Sequence, residues 1–170
     1  GASMLSIGGE SGSPRILKNM RKGIRVEFIK DLVRILRKTG IDSVVYFIFG
    51  NPGETRETIR ETIDFAKSLN PDYAEFYPAT PYPGTEFYEV AVQNGYIRES
   101  GWDNFQYSNT VIGSNELSSS ELRSLIKHAY LEFYFRPSYI PIVLRKIVRP
   151  KDFLRLLRFG FGYLVGVVRT

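Results

Sequence analysis

The chain has 170 residues, 43% of them hydrophobic and 24% charged, which predicts a globular protein of one domain or of one domain with a helical appendage. It contains no cysteine, which excludes disulfides, thiolate metal sites and a thiol nucleophile within the chain, and its one histidine, His128, argues against a histidine-based triad or zinc site. The net charge of +5 is unevenly distributed, because residues 1–135 hold 15 basic and 17 acidic residues whereas residues 136–170 hold eight basic residues and one acidic residue.

The first predicted elements are a strand and two helices. Residues 4–8 form a short apolar run that predicts a buried strand, and Ser13-Pro14 is typical of the beginning of a helix. Apolar residues at a three-four spacing over residues 26–36 predict an amphipathic helix, with Gly40 at the position of its C-terminal cap. The chain therefore begins with a βα unit.

Residues 44–49 are β-branched or aromatic at every position, which predicts a strand buried on both faces of a parallel sheet. A turn at residues 50–53 follows, then a helix capped by Thr55, and then a third strand over residues 73–77. This alternation predicts right-handed crossovers. Because three strands cannot close a barrel and leave sheet edges exposed, we expect a missing N-terminal half, a partner, or self-association through the exposed edge near residues 5–7.

The second half of the chain predicts helices. A short helix is expected over residues 86–93, and residues 96–117 are expected to be irregular. Ser118-x-x-Glu121 is a capping box ahead of a long amphipathic helix. Arg136-Pro137 ends this helix, and Arg149-Pro150 divides the remaining tail into two further helices.

The predicted fold is α/β: a partial parallel (β/α) barrel of about three βα units, followed by a C-terminal helical extension. We place a half-barrel at residues 1–95, an irregular segment plus capped helix at residues 96–135, and a basic apolar helical tail at residues 136–170. Such a tail is typical of membrane-surface or partner-binding segments, although packing on the barrel is the favoured alternative. No recognised nucleic-acid module accompanies the basic residues, so we do not expect nucleic-acid binding. We expect a cytoplasmic protein whose tail is a candidate contact with a membrane surface.

Polar and glycine-rich clusters follow all three predicted strands, at residues 9–13, 50–55 and 77–80. Ligands of parallel sheets bind at the carboxyl ends of the strands, glycines allow close backbone approach, and helix N-termini favour anionic groups. Taken alone, these clusters predict ordinary turns more often than a binding site.

The residues within the clusters resemble one enzyme family. Residues 10–13 and 16–23 resemble the fourth-strand segment of radical S-adenosylmethionine enzymes, and residues 47–55 resemble the fifth-strand segment. Residues 71–73 and the Thr-Pro-Tyr-Pro-Gly-Thr sequence at residues 80–85 resemble the sixth strand and its exit loop, as found in the subgroup with an N-terminal cobalamin-binding domain. Together the three motifs, in this order, make a strong resemblance that covers most of the chain.

The resemblance implies a partial six-stranded (β/α) barrel that binds S-adenosylmethionine across its strand ends. It implies that Glu10 accepts hydrogen bonds from the ribose hydroxyls, that Lys22 pairs with the methionine carboxylate, and that Ile48 packs against the adenine. Tyr77 and Ala79 would border the adenine edge through backbone groups. The implied cofactor-binding residues are Glu10, Ser13, Lys22, Ile48, Tyr77 and Ala79.

Several of these residues have structural alternatives. Glu10 could instead cap the helix that begins near Ser13, and Lys22 could be a solvated charge at a helix end. We expect Ile48 to be buried in the core whether or not it also contacts adenine. Glu54 is expected to have a structural role in its turn, at the positive end of the following helix.

The family's iron–sulfur cluster is held by three cysteines in C-x-x-x-C-x-x-C spacing, and this chain has none. The resemblance therefore implies that S-adenosylmethionine is the cofactor this chain would contact, while the 4Fe–4S cluster and cobalamin belong to a full-length parent alone. We expect that parent to be a radical methyltransferase or cyclase, and this chain alone to be non-catalytic. One alternative is a non-catalytic binding module with a membrane- or protein-binding tail. A βα enzyme for another phosphate-bearing cofactor is less favoured, because no Walker or Rossmann glycine pattern is present.

Overall fold

The computed structural model describes residues 2–97 and 116–147, which form a parallel sheet with helices around it. The three strands are β1 (Met4–Glu10), β2 (Asp42–Phe49) and β3 (Tyr73–Pro78). The helices of the described residues are α1 (Pro14–Asn19), α2 (Val26–Thr39), α3 (Arg56–Leu69), α4 (Glu86–Gln93), α5 (Ser119–Tyr134) and α6 (Ile140–Ile147). A 3₁₀ turn, Pro137–Tyr139, joins α5 to α6.

The predicted βα order is confirmed. The strands lie in the order β1-β2-β3 and both pairs are parallel, so α2 and α3 are the helices of two crossover connections. This is part of a (β/α) barrel followed by a helical extension, as the sequence predicts. The second helix predicted for the tail and most of the predicted irregular stretch lie outside the described residues.

The helix boundaries follow local sequence signals. Thr55 and Ser118 each accept a hydrogen bond from the backbone of the first turn and form complete capping boxes for α3 and α5. Gly40 ends α2 in the left-handed conformation with φ of 72°. Pro14 occupies the first turn of α1, although the Ser13 side chain at the cap position makes no capping bond.

One face of the sheet forms the hydrophobic core. Alternate strand residues point to this first face and pack against the apolar sides of α2, α3 and α5. Phe76 is central to it, because its ring packs against Phe47, Phe49 and Tyr130 at centroid distances between 5.2 and 5.6 Å. The strand residues of the first face are Ile7, Val45, Phe47, Phe49, Ala74 and Phe76.

The opposite face, which we call the second face, differs from the prediction. Residues near the amino ends of its strands, such as Val44 and Tyr73, are fully buried, whereas Tyr46 and Ile48 toward the carboxyl ends are half-buried. The prediction that residues 44–49 are covered on both faces is therefore wrong toward the carboxyl end of β2, because the core of α2, α3 and α5 lies against the first face. The second face consists of Ser6, Gly8, Val44, Tyr46, Ile48, Tyr73, Glu75 and Tyr77.

Tyrosine hydroxyls cover the outer edge of β3. Tyr134 donates to the Ala74 carbonyl at 2.9 Å and accepts from the Ala74 N–H at 3.2 Å. Tyr130 accepts from the Phe76 N–H at 3.0 Å, and Tyr139 donates to the carbonyl of Asp72 at 2.7 Å. The expectation of exposed edges is therefore wrong for β3, because side chains of α5 and the 3₁₀ turn satisfy backbone groups that would otherwise be unpaired.

The outer edge of β1 is different. No strand among residues 2–97 and 116–147 pairs with it, and Leu5 on this strand is 41% exposed. Ile7 is 5% exposed because it faces the core under α2. Among residues 2–97 and 116–147 the two edges of the sheet are therefore unequal: tyrosine hydroxyls satisfy the β3 edge, and no strand lies along the β1 edge.

A buried ionic cluster attaches α6 at the amino ends of the strands. Lys146, with a side chain only 3% exposed, pairs with Asp42 and with Asp72, the latter at 3.3 Å. Asp72 also accepts hydrogen bonds from the backbone and hydroxyl of Ser43, and Arg145 pairs with it. The helical extension is thus held at the end of the sheet opposite to the carboxyl ends of the strands.

Within the described part of the chain, no helix is long and apolar enough to cross a membrane. The same residues contain no group of three or more His, Cys, Asp or Glu side chains placed to hold a metal ion.

Candidate functional site

Glu10 ends β1 in an unusual backbone conformation. The pairing of β1 with β2 shifts register between Gly8 and Glu10, so Gly9 forms a β-bulge. An ideal Cβ at residue 9 would lie 2.6 Å from Val45 Cγ1, which requires glycine at the bulge. Glu10 then has φ of 58°, in the left-handed region that residues with side chains rarely adopt. Bulges and left-handed residues of this kind cluster at binding and catalytic sites.

The Glu10 carboxylate pairs with Lys22. Lys22 Nζ donates a hydrogen bond to Glu10 Oε1 at 2.7 Å. The Glu10 side chain is 9% exposed and the Lys22 side chain is 45% exposed, so the pair lies at the border between the protein and solvent. An ideal Cβ at Gly8 would lie 2.5 Å from Glu10 Oε1 and 4.0 Å from Lys22 Nζ, which places both charges on the second face.

This pair bears on the two structural alternatives that the sequence left open for Glu10 and Lys22. The Glu10 carboxylate binds Lys22 instead of capping α1, whose cap position is occupied by Ser13. Lys22 is partly exposed but is paired, so it is not a simply solvated charge.

Ser13 is held in place by a network that ties the loop after β1 to α3. The Ser13 N–H donates to Ser11 Oγ at 3.1 Å, and Ser11 Oγ lies 3.0 Å from Thr62 Oγ1. Thr62 Oγ1 also accepts from the Gly12 N–H at 2.9 Å. Ser13 is 2% exposed, and the network holds it in the loop that follows Glu10. Within the described residues it forms no hydrogen bond to Glu10 or Lys22.

Ile48 and Tyr77 lie side by side on the second face. They are partners in the β2–β3 register, and the Tyr77 ring stacks on Tyr46 at a centroid distance of 6.0 Å. Ile48 is half-buried and lies outside the hydrophobic core, so the expectation that it would be buried there is wrong. The reason is its alternation with Phe47 and Phe49, which take the two neighbouring core positions on the first face.

Ala79 follows β3 and extends its pairing with β2. The Ala79 N–H donates to the carbonyl of Phe49 at 2.7 Å, and the residue is 3% exposed. Backbone contact of Ala79 with a ligand is therefore limited to its carbonyl oxygen.

Glu54 closes the turn after β2, as expected from the sequence. Its Oε2 accepts hydrogen bonds from the N–H groups of Gly50 at 2.6 Å and Asn51 at 3.0 Å. Burial raises the pKa of the Glu54 carboxyl to about 7, although these backbone donors act to lower it. The role of Glu54 is structural: it holds the loop at the carboxyl end of β2.

Glu75 is a buried carboxyl on the second face that sequence reasoning missed. It is fully buried, and its Oε2 accepts a hydrogen bond from the Tyr130 hydroxyl at 2.9 Å. Burial raises the pKa of Glu75 to about 7, while hydrogen bonds from Tyr130 and Tyr77 act in the opposite direction. Its one sequence signal was a lone acidic residue inside an otherwise apolar strand.

The six implied binding residues thus share one end of the sheet. Glu10 and Lys22 are in direct contact, and Ile48 and Tyr77 are adjacent on the same face. Ser13 and Ala79 lie in the loops that follow the outer strands, without a hydrogen bond to the charged pair among the described residues. This edge offers a carboxylate for hydroxyl groups, a cation for an anionic group, and half-exposed apolar and aromatic surface for a planar ring.

Comparison with known proteins gives a consistent result. Residues 1–66 match the family model of the radical SAM superfamily. The chain is 39% identical over 140 residues to an uncharacterized methyltransferase of Pyrococcus horikoshii. This alignment covers 82% of the chain and 30% of the methyltransferase. The chain therefore spans about a third of that relative's length.

Two solved structures share the fold. Coproporphyrinogen III oxidase (HemN) of Escherichia coli, a radical SAM enzyme, matches with a TM-score of 0.54 at 20% identity over 78% of this chain and 26% of its own. The radical S-adenosylmethionine methyltransferase TsrM of Kitasatospora setae, solved with cobalamin and a 4Fe–4S cluster, matches with a TM-score of 0.50 at 26% identity. That match covers 72% of this chain and 25% of TsrM. The chain belongs to the radical SAM superfamily.

Proposed function

From its membership of the radical SAM superfamily, we propose that this chain supplies part of the S-adenosylmethionine pocket of a longer radical enzyme. The observation that carries the proposal is the Glu10–Lys22 pair on the second face, at the carboxyl end of the sheet. Glu10 supplies an acceptor for the ribose hydroxyls at one end of this ligand and Lys22 a cation for the carboxylate at the other, and the 2.7 Å contact between the two side chains would be exchanged for these ligand contacts.

Each residue has a role that suits its chemistry. Glu10 is an acceptor and would bind the two ribose hydroxyls, which are donors. Lys22 would bind the methionine carboxylate, because its half-exposed side chain can turn from Glu10 to a ligand while the ribose hydroxyls take its place on the Glu10 carboxylate. Ile48 and Tyr77 would line the adenine, and the Ala79 carbonyl would accept from the adenine amino group. Ser13 would border the pocket on the β1 side.

The residues of this chain do not fit an iron–sulfur cluster, because the sequence contains no cysteine. The cluster ligands of the proposed enzyme would lie in other segments of the longer protein. Cobalamin is proposed as its second cofactor because TsrM, which shares this fold, was solved with cobalamin bound. Methyl transfer is the favoured reaction of the longer enzyme, because both the Pyrococcus horikoshii relative and TsrM are methyltransferases. A cyclase reaction is the alternative.

The unequal sheet edges support the proposal that this chain is one part of a larger barrel. The β3 edge is satisfied by tyrosine hydroxyls, while the β1 edge has no strand partner among the described residues. On the same side of the sheet, Phe28 and Ile35 are exposed on α2, which packs on β1. A strand and a helix from another part of a longer protein would cover the β1 edge and these two side chains, and self-association through the same edge is the alternative.

The test of the proposal is calorimetric titration with S-adenosylmethionine. Glu10→Gln and Lys22→Met should each weaken binding by about tenfold or more, because each removes a charge-assisted hydrogen bond. Glu27→Gln and Lys38→Met, which change exposed charges on α2, are the matched controls and should bind normally. Equal affinity of all four variants would contradict the proposal.

A second candidate function concerns the tail. Ile140, Leu144 and Ile147 form an exposed stripe on α6, with 50 to 60% of each residue accessible. Residues 136–170 hold eight basic residues and one acidic residue, so we propose an anionic membrane surface as the partner of a cytoplasmic protein. Co-sedimentation with phosphatidylglycerol vesicles should be lost in Ile140→Ser/Leu144→Ser and retained in Phe28→Ser/Ile35→Ser. Equal binding of both variants would contradict this role.

A further inference from the structure

An ion pair joins the segment that carries Lys22 to the segment that follows β3. The guanidinium of Arg21 donates two hydrogen bonds to the carboxylate of Glu86, each 2.9 Å long. Arg21 directly precedes Lys22, and Glu86 is the first residue of α4. Because β2 lies between β1 and β3, this pair connects the segments that follow the two outer strands of the sheet.

The backbone at Arg21 makes this pair unexpected. The Lys22 N–H donates to the Leu17 carbonyl and the Arg21 N–H donates to the Lys18 carbonyl, both at 3.0 Å. These two bonds form the Schellman closure of α1, which places Arg21 in the left-handed conformation with φ of 52°. Glycine is the residue that this position favours, and a side chain there has a cost in free energy. The local backbone therefore gives no reason for an arginine.

The contact with Glu86 gives that reason. Lys22 has a long and flexible side chain that is 45% exposed, so its direction depends on the backbone from which it extends as well as on its contact with Glu10. A bidentate arginine–carboxylate contact fixes direction as well as distance, so the Arg21–Glu86 pair holds the backbone from which Lys22 extends. We propose that Arg21 and Glu86 are positioning residues, which hold Lys22 for the carboxylate of the bound ligand. This inference rests on the proposed function.

The pair has little to contribute to the stability of the fold. The side chains of Arg21 and Glu86 are 77% and 66% exposed, and exposed ion pairs add little to folding free energy. Loss of the pair should therefore change ligand binding without a matching loss of thermal stability. That separation distinguishes a positioning role from a structural one.

The first experiment uses Arg21→Gly and Glu86→Gln in the full-length protein. Both variants should bind S-adenosylmethionine about three- to fivefold more weakly, as expected for the loss of one exposed but well-oriented ion pair. Arg21→Gly should keep or raise the melting temperature, because glycine relieves the left-handed backbone. Asp31→Asn removes a comparably exposed pair with Arg34 on α2 and is the control, with unchanged affinity expected.

The second experiment tests whether the pair acts through Lys22. In the Lys22→Met background, Glu86→Gln should cause no further loss of affinity, because the residue to be positioned is absent. The charge-exchanged variant Arg21→Glu/Glu86→Arg should recover part of the wild-type affinity.

Two results would overturn the inference. Either Glu86→Gln leaves the affinity unchanged in the wild-type background, or its effect is undiminished in the Lys22→Met background. Failure of the wild-type protein to bind S-adenosylmethionine is a separate outcome, and it would overturn the proposed function together with this role.

Discussion

The carboxylate of Glu10 occupies the space that a side chain at Gly8 would need. An ideal Cβ at residue 8 would lie 2.5 Å from Glu10 Oε1, closer than any real contact of such a carbon. The obstructing atom is the end of a flexible side chain and not backbone, so the conflict can be relieved by moving the carboxylate. The absence of a side chain at Gly8 therefore determines where the charge of Glu10 lies on the second face.

Gly8→Ala should displace the Glu10 carboxylate from its place beside Lys22 while the sheet is retained. We expect the affinity for S-adenosylmethionine to fall by about tenfold, because a charge-assisted hydrogen bond is lost. Gly23→Ala is the control, because an ideal Cβ at residue 23 would meet no atom within 4 Å. Calorimetric titration of both variants measures the difference, and unchanged affinity in Gly8→Ala would show that the position of the Glu10 carboxylate does not matter for binding.

Tyr134→Phe should destabilise the fold by about 1–3 kcal/mol, because it leaves the N–H and the carbonyl of Ala74 without their side-chain partner. Urea denaturation measures this loss, and amide exchange should be faster along β3. Tyr88→Phe changes a half-buried tyrosine of α4 and should cost less than about 0.5 kcal/mol. Equal stability of the two variants would mean that the tyrosine hydroxyls do not protect the β3 edge.

Glu75 should make stability depend on pH. Burial raises the pKa of Glu75 to about 7 from its ordinary value of 4.5, so the folded state favours the protonated carboxyl. Its contribution to stability is therefore fully present below pH 4.5 and is lost as the pH rises to about 7, by about 3 kcal/mol at most.

Glu75→Gln is neutral at every pH and removes this dependence. The difference in unfolding free energy between wild type and Glu75→Gln, measured in urea between pH 5 and pH 8, should shift in favour of the variant as the pH rises. A difference that is constant over this range would show that the Glu75 carboxyl titrates alike in the folded and unfolded states.

Lys146→Met should destabilise the protein by about 3 kcal/mol, because it leaves the half-buried carboxylate of Asp42 and the buried carboxylate of Asp72 with less compensating charge. Arg34→Met removes an exposed partner of Asp31 and should cost less than about 1 kcal/mol. Thermal denaturation measures the loss of stability in each variant, and the loss should be larger for Lys146→Met. Similar small losses would contradict the view that Lys146 anchors α6 to the sheet.

The order of the elements and their ends could be predicted because the signals are local. Capping residues such as Thr55 and Ser118 and the glycine at residue 40 lie within a few residues of the backbone groups they satisfy or the turn they permit. The shared end of the sheet at which the candidate residues lie also followed from order alone, since parallel strands bring their carboxyl ends together.

The geometry of the site could not be predicted, because it depends on pairing between distant strands. The left-handed conformation of Glu10 follows from a bulge at Gly9, a position where Val45 of β2 leaves no room for a side chain. The burial of Ile48 was misjudged for a similar reason: an apolar strand does not indicate which of its faces the helices cover. Glu75 was missed because its hydroxyl partner, Tyr130, is 55 residues away in the chain.

The most direct test of the account is to compare two ligands in one pair of proteins. S-adenosylmethionine carries the methionine carboxylate, whereas 5′-methylthioadenosine keeps the adenine and ribose but lacks the carboxylate. Titration of both into the full-length wild-type and Lys22→Met proteins should show that the variant loses about tenfold or more in affinity for S-adenosylmethionine and none for 5′-methylthioadenosine. Equal losses for the two ligands, or no loss for either, would contradict the assignment of this edge of the sheet as the S-adenosylmethionine site.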